Sequence, residues 1–124
     1  WGPGSPYYGP NSIYQGQEVV RLKVLSDRRA EGGGIVFLAR FLPPPGKVIK
    51  IIAVARSDEH SFTLSGGRGT KSGKQRAHPG GYALNTDGQP HSAFIGTETE
   101  SLIVYTGEPD EIQAFEVVDR ADAS

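Results

Sequence analysis

Cysteine and methionine are both missing from this chain of 124 residues. Without cysteine there is no disulfide framework, no thiolate metal site and no cysteine nucleophile, although the compartment is not fixed by that alone. Without methionine, and with Trp1 in first place, an initiator is expected to have been removed. Long apolar runs are lacking too. The longest, residues 48–55, is interrupted by Lys50 and is the length of a strand, far short of the roughly 20 residues that cross a bilayer. No block of like charge exists and the net charge is −1, so neither nucleic acid nor a membrane is expected as a partner. The N-terminus shows neither the basic stretch nor the apolar stretch of a secretory leader, and a cytoplasmic location is expected. Sustained helical periodicity is absent throughout.

What remains is β-forming sequence. Residues 18–25, 34–42 and 47–55 are rich in β-branched and aromatic side chains, and Pro43, Pro44 and Pro45 stop the second run because proline cannot donate to a ladder. In residues 60–66, Phe62 and Leu64 alternate with Ser61 and Thr63, the period of a half-buried strand. Four more short runs follow at residues 81–85, 90–96, 101–107 and 112–119. Eight strands at such spacing predict an all-β sandwich or barrel. At 13.3 kDa one domain is expected, spanning residues 17–119, with a polar tail at 120–124. Residues 1–16 differ from the rest. Their prolines and glycines argue against regular structure, yet Trp1, Tyr7, Tyr8 and Tyr14 make them rich in aromatics. They read as an extended arm that packs on its own barrel or on a neighbouring subunit, and a homodimer through this arm is expected.

Several motifs fail on spacing. The loop of residues 67–79 is basic and Gly-rich, but counting back from Gly73 puts Arg68 at the first glycine position of a phosphate-binding loop, and Gln75 stands in place of the hydroxyl residue. The loop also precedes a strand rather than a helix. His91 and Ser92 are adjacent, so on a strand they face opposite ways and form no catalytic pair. Asp58 and Glu59 fail as a dyad for the same reason.

Two segments in order resemble the two signature motifs of the cupin superfamily. Residues 46–66 run from Gly46 through Glu59 to Gly66, and residues 80–95 supply Gly80, Gly88 and then His91. The wording is most similar to small single-domain cupins near the anti-sigma-factor and acetylacetone-dioxygenase type, across residues 34–107. The resemblance implies a double-stranded β-helix, or jelly-roll barrel, with a metal held at positions 53, 55, 59 and 91. Here Ala53 and Ala55 replace the two motif histidines, Thr86 the motif proline and Ile95 the asparagine.

Only Glu59 and His91 survive of that ligand set, and two protein ligands rarely hold a divalent metal. The expectation is therefore a metal-independent enzyme without cofactor. It would perform acid–base chemistry, an isomerisation, cyclisation or lyase-type elimination, on a small and largely apolar organic substrate. Glu59 and His91 are its expected acid–base pair, with Tyr82 or Tyr105 as a hydrogen-bond donor. Ile49, Ile51, Ala53, Ala55 and Phe62 are the expected substrate-binding walls. Two alternatives stand beside it. One is a metal-dependent dioxygenase or lyase holding iron, manganese, nickel or zinc through Glu59, His91 and His78. The other is a barrel that binds a small ligand without converting it.

Overall fold

The computed structural model describes residues 1–71 and 74–120. Residues 72 and 73, and with them Gly73 of the phosphate-loop comparison, lie outside the described residues, as does the tail beyond Arg120. Three two-residue strands come first: β1 (Gly2–Pro3), β2 (Ile13–Tyr14) and β3 (Gln17–Glu18). Eight long strands follow, one for each of the eight runs in the sequence. They are β4 (Val20–Asp27), β5 (Ile35–Phe41), β6 (Lys47–Val54), β7 (Glu59–Ser65), β8 (Tyr82–Asn85), β9 (Pro90–Ile95), β10 (Thr99–Tyr105) and β11 (Glu111–Asp119).

A six-stranded sheet in the order β1-β4-β5-β10-β7-β8 and a three-stranded sheet in the order β11-β6-β9 form the all-β jelly roll that the sequence leads one to expect. The core lies between them. β5 alternates strictly, with Ile35, Phe37, Ala39 and Phe41 buried, and from the other sheet Ile49, Ile51, Ala53, Ile95 and Phe115 pack against them. Successive side chains of a strand leave opposite faces, so each apolar alternation supplies one wall. Removing this apolar surface from water is the main stabilising term.

The arm corrects one expectation. It is not extended: a short helix α1 (Ser5–Tyr8) and a 3-10 turn (Pro10–Ser12) form despite the prolines, because each begins with a proline in its first turn, where no backbone donor is needed. The arm packs on its own barrel. Tyr7 lies 5.5 Å from the ring of Phe37, and Tyr8 meets Phe41 edge-on at 5.8 Å and Phe115 at 6.2 Å. Gly2 pairs with Leu22, and Arg40 stacks over Trp1 at 4.1 Å. Tyr8 thus plugs one end of the core. Replacing Tyr8 by alanine is expected to cost about 3 kcal/mol in urea unfolding. A loss below about 1 kcal/mol would show the plug to be dispensable.

The outer face of the six-stranded sheet carries a second correction. In β7 the polar residues Glu59, Ser61 and Thr63 are buried, whereas Phe62 and Leu64 face outward. Neighbouring β8 does the same with Tyr82 and Leu84. The alternation is present, but its apolar half lies outside.

Candidate functional site

The inward polar residues of β7 meet the second sheet at one end of the barrel. Glu59 opens β7, directly opposite Asn85 of β8 and Tyr105 of β10. Asn85 Nδ2 donates to Glu59 Oε1 at 2.8 Å, and the Tyr105 hydroxyl donates to Oε2 at 2.9 Å. The carboxylate is only 6% exposed. Across the interior, His91 sits on β9 opposite Ala53 of β6. Its Nε2 lies 2.8 Å from Oδ2 of Asp110, a residue in the loop before β11 whose side chain is 5% exposed. That contact is short but off the N–H direction, so it is an ion pair rather than an aligned hydrogen bond. Both His91 Nε2 and Asp110 Oδ1 are buried without an aligned partner. One ligand atom from each of Glu59, His91 and Asp110 falls within 4.8 Å of the other two.

Electrostatics follow from this crowding. Burial pushes the Glu59 carboxyl above its ordinary value, and the nearby Asp110 charge adds to the push. The bonds from Asn85 and Tyr105 and the charge of His91 pull the other way. The His91 imidazolium is favoured above its ordinary range by its contact with Asp110, against the effect of burial. Burial raises the Tyr105 hydroxyl well above its usual value, and the same holds for Tyr8, where the charges of Glu59 and Asp110 add to the effect. An imidazole whose charged form is favoured and a buried carboxylate of raised pKa share one small space, the pairing that proton transfer requires.

The cavity they line is about 50 Å³, room for only a few non-hydrogen atoms. Its lining is apolar at Phe41, Ile51, Ala93, Ile95 and Ile103 and polar at Ser61, Ser101 and, on the loop after β7, Arg68. Ile51 takes its expected place. Ile49, Ala53 and Ala55 are buried as expected, but in the packed core rather than on the cavity wall. Phe62 and Tyr82 do not reach it: Phe62 is 39% and Tyr82 53% exposed on the outer sheet face, where Tyr82 bonds His60 Nδ1 at 2.7 Å. His78, the expected third metal ligand, is exposed on the loop near Gln75, so Asp110 stands where His78 was expected.

Asp110, Asn85, Arg68 and the two serines were not legible in the sequence. Asn85 had one signal: with Tyr82 outward, alternation turns Ala83 and Asn85 inward. Asp110 had none, because it comes from a loop that only folding brings to His91. The motif departures are repaired locally. Gln89 Oε1 accepts the Thr86 backbone N–H at 3.0 Å, tying the turn that a proline would have stiffened, and Ile95 joins the core.

Two carboxylates and an imidazole, with two of their atoms buried and unmatched, are donors that suit a divalent cation. Glu59, His91 and Asp110 would hold it.

No protein-family model matches the chain, and no curated protein matches it. Solved structures do. A Ralstonia eutropha JMP134 protein of unknown function with a cupin-like fold aligns at TM-score 0.62 and 20% identity, over 82% of this chain and 67% of that one. An RmlC-like cupin protein from the same organism aligns at TM-score 0.59 and 18% identity, over 94% and 73%. A candidate acetylacetone dioxygenase from Methylibium petroleiphilum PM1 aligns at TM-score 0.50 and 16% identity, over 75% and 72%. At these identities the likeness is one of fold.

Proposed function

We propose that this chain, a barrel of the cupin fold, is an enzyme that moves protons on a small organic molecule held between its two sheets. The observation that carries the reading is the placement of Glu59 and His91 on one small cavity with Asp110 against the imidazole. Glu59, ionised, takes a proton from carbon beside a carbonyl group. His91, protonated and paired with Asp110, gives a proton to the carbonyl oxygen or to the neighbouring carbon. Tyr105 and Asn85 fix the carboxylate so that its free lone pairs face the substrate. The net change is an isomerisation, or an elimination where a leaving group stands next to the carbanion. Apolar Ile51 and Ile95 keep water from competing for the proton.

The test needs no known substrate. Chelator-stripped protein is incubated in D2O with a panel of small ketones and keto acids, and loss of the proton signal beside the carbonyl is followed by NMR. Catalysed exchange that disappears in the His91→Ala variant is the expected result. Exchange equal to the buffer rate across the panel, or unchanged in that variant, would overturn the reading.

A second reading is favoured by Asp110 Oδ1, which is buried without a partner beside His91 and Glu59. Here the same three side chains hold a divalent cation, which when bound supplies Lewis-acid polarisation of a substrate oxygen. Plasma mass spectrometry on untagged protein from metal-supplemented cells separates the two. About one iron, manganese, nickel or zinc per chain, with exchange activity restored only by that metal, would select this reading.

A further inference from the structure

Arg68 is the charged group at the cavity that the proton chemistry leaves unused. It lines the interior space beside Glu59 and His91, and it also lines two shallow outer hollows that it shares with Arg76. It stands where the interior meets solvent. Arg28 pairs with Glu31, Arg29 with Asp27 and Glu108, Arg40 with Glu100 and Arg56 with Glu111, and Arg21 bonds the Trp1 carbonyl; the Arg76 side chain has no such partner among the described residues, but it lines only the outer hollows and not the interior space. Among the described residues the Arg68 guanidinium has neither an ion pair nor a hydrogen bond.

The backbone holds this arginine in place independently of its side chain. Gly66 and Gly67 turn the chain at φ +66 and +152, and a Cβ on either would sit about 2 Å from a carbonyl oxygen, that of Glu98 or that of Ala77. The Arg68 carbonyl accepts the N–H groups of Arg76 and Ala77 at 2.8 and 2.9 Å. Gly69 N donates to Phe94 O on β9 at 2.7 Å, and Gln75 Nε2 donates to Gly66 O at 2.6 Å. The cross-tied backbone around Arg68 thus presents its unmatched guanidinium at the mouth of a cavity that Ser61 and Ser101 also line. A fixed fork of donors beside hydroxyls is a receptor for a planar anion.

We infer that the substrate is a small carboxylic acid, whose carboxylate is bound by Arg68 with help from Ser61 and Ser101 while its reacting carbon lies against Glu59 and His91. This rests on the proton-transfer reading of the site for the role of the far end, but the carboxylate receptor itself does not depend on it. The expectation of a largely apolar substrate is thereby narrowed to one with an anionic end and a short apolar remainder on the Ile51 side.

The experiment is an NMR titration, in the presence of a chelator, with three acids and their amides: acetate and acetamide, pyruvate and pyruvamide, acetoacetate and acetoacetamide. At least one acid is expected to shift the Arg68 Nε–H signal and to bind about tenfold or more tightly than its amide, the worth of one charge-assisted bidentate pair. Arg68→Gln should abolish that preference without changing the unfolding midpoint, since the side chain holds no other residue. Arg68→Lys should keep a part of it. Acids that bind no better than amides, or a preference that survives Arg68→Gln, would overturn the assignment. Glu59→Gln separates the two claims: carboxylate binding is expected to persist there. Binding without catalysed exchange in the native chain would count against the proton-transfer reading alone, and exchange confined to neutral ketones would count against the carboxylate receptor alone.

Discussion

Replacing Glu59 by glutamine is expected to lower catalysed exchange by about 10³-fold and, at neutral pH, to make the protein more stable. The first effect is the loss of the base, for which general acid–base catalysis commonly supplies 10²–10⁴. The second follows from the sign of the pKa shift. Burial and the Asp110 charge raise the folded-state value of Glu59 above 4.5. Ionising the folded protein above the unfolded value therefore costs free energy, and the cost is in full force once the pH exceeds the folded value. Glutamine removes that charge. Its carbonyl oxygen still accepts from Asn85, and its NH2 can donate to the Tyr105 oxygen. A gain of about 1 kcal/mol is expected. Catalysed exchange that survives the change would end the assignment of Glu59 as base. A large loss of stability would show that the negative charge is required by the fold, as it would be beside a permanently bound cation.

Replacing Asp110 by asparagine is expected to move both limbs of the pH–rate profile toward acid and to reduce the rate near pH 7 by about 10²-fold. Activity needs Glu59 ionised, so the rate rises with pH through the Glu59 value; it needs His91 protonated, so the rate falls through the His91 value. The Asp110 charge raises both groups. Without it both values fall: burial and Arg68 disfavour the His91 imidazolium and only the Glu59 charge still favours it, so the charged form is lost at a lower pH than in the native chain. Stability changes in step. The native His91–Asp110 pair contributes fully below the ordinary histidine value of 6.5 and is lost as pH rises through the raised folded value. In the variant, stability measured by urea unfolding should vary less across that window. NMR titration of the His91 ring reads the shift directly, and an unmoved midpoint would show that Asp110 does not govern the acid.

Much of the barrel was legible because each strand carries its own evidence. The alternation of residues 35–41 and the proline stop at 43–45 are local, and a local pattern needs no knowledge of the rest of the chain. Glu59 and His91 were singled out for a different reason, the resemblance of residues 46–66 and 80–95 to the two cupin motifs, and the fold brings both to one cavity. The alternation of residues 60–66 was read with its faces exchanged. Phe62 and Leu64 look like core, yet this part of the interior is a polar cavity, so Ser61 and Thr63 point in and the apolar residues cover the outside. Period alone marks two faces without saying which one is inside.

From the amino-acid order alone it follows that the chain is all-β and that eight runs become eight strands, and a resemblance to the cupin motifs singles out one carboxylate and one imidazole. Those are statements about neighbours along the chain, set by sterics, turn residues and β propensity. What the pair works with was settled by folding. Asp110 reaches His91 from the loop before β11, Asn85 and Tyr105 reach Glu59 across two strand pairings, and Arg68 is brought to the cavity by a cross-tied loop. Charge interactions depend on distance through space and on burial, and both come into being only when the two sheets close on each other.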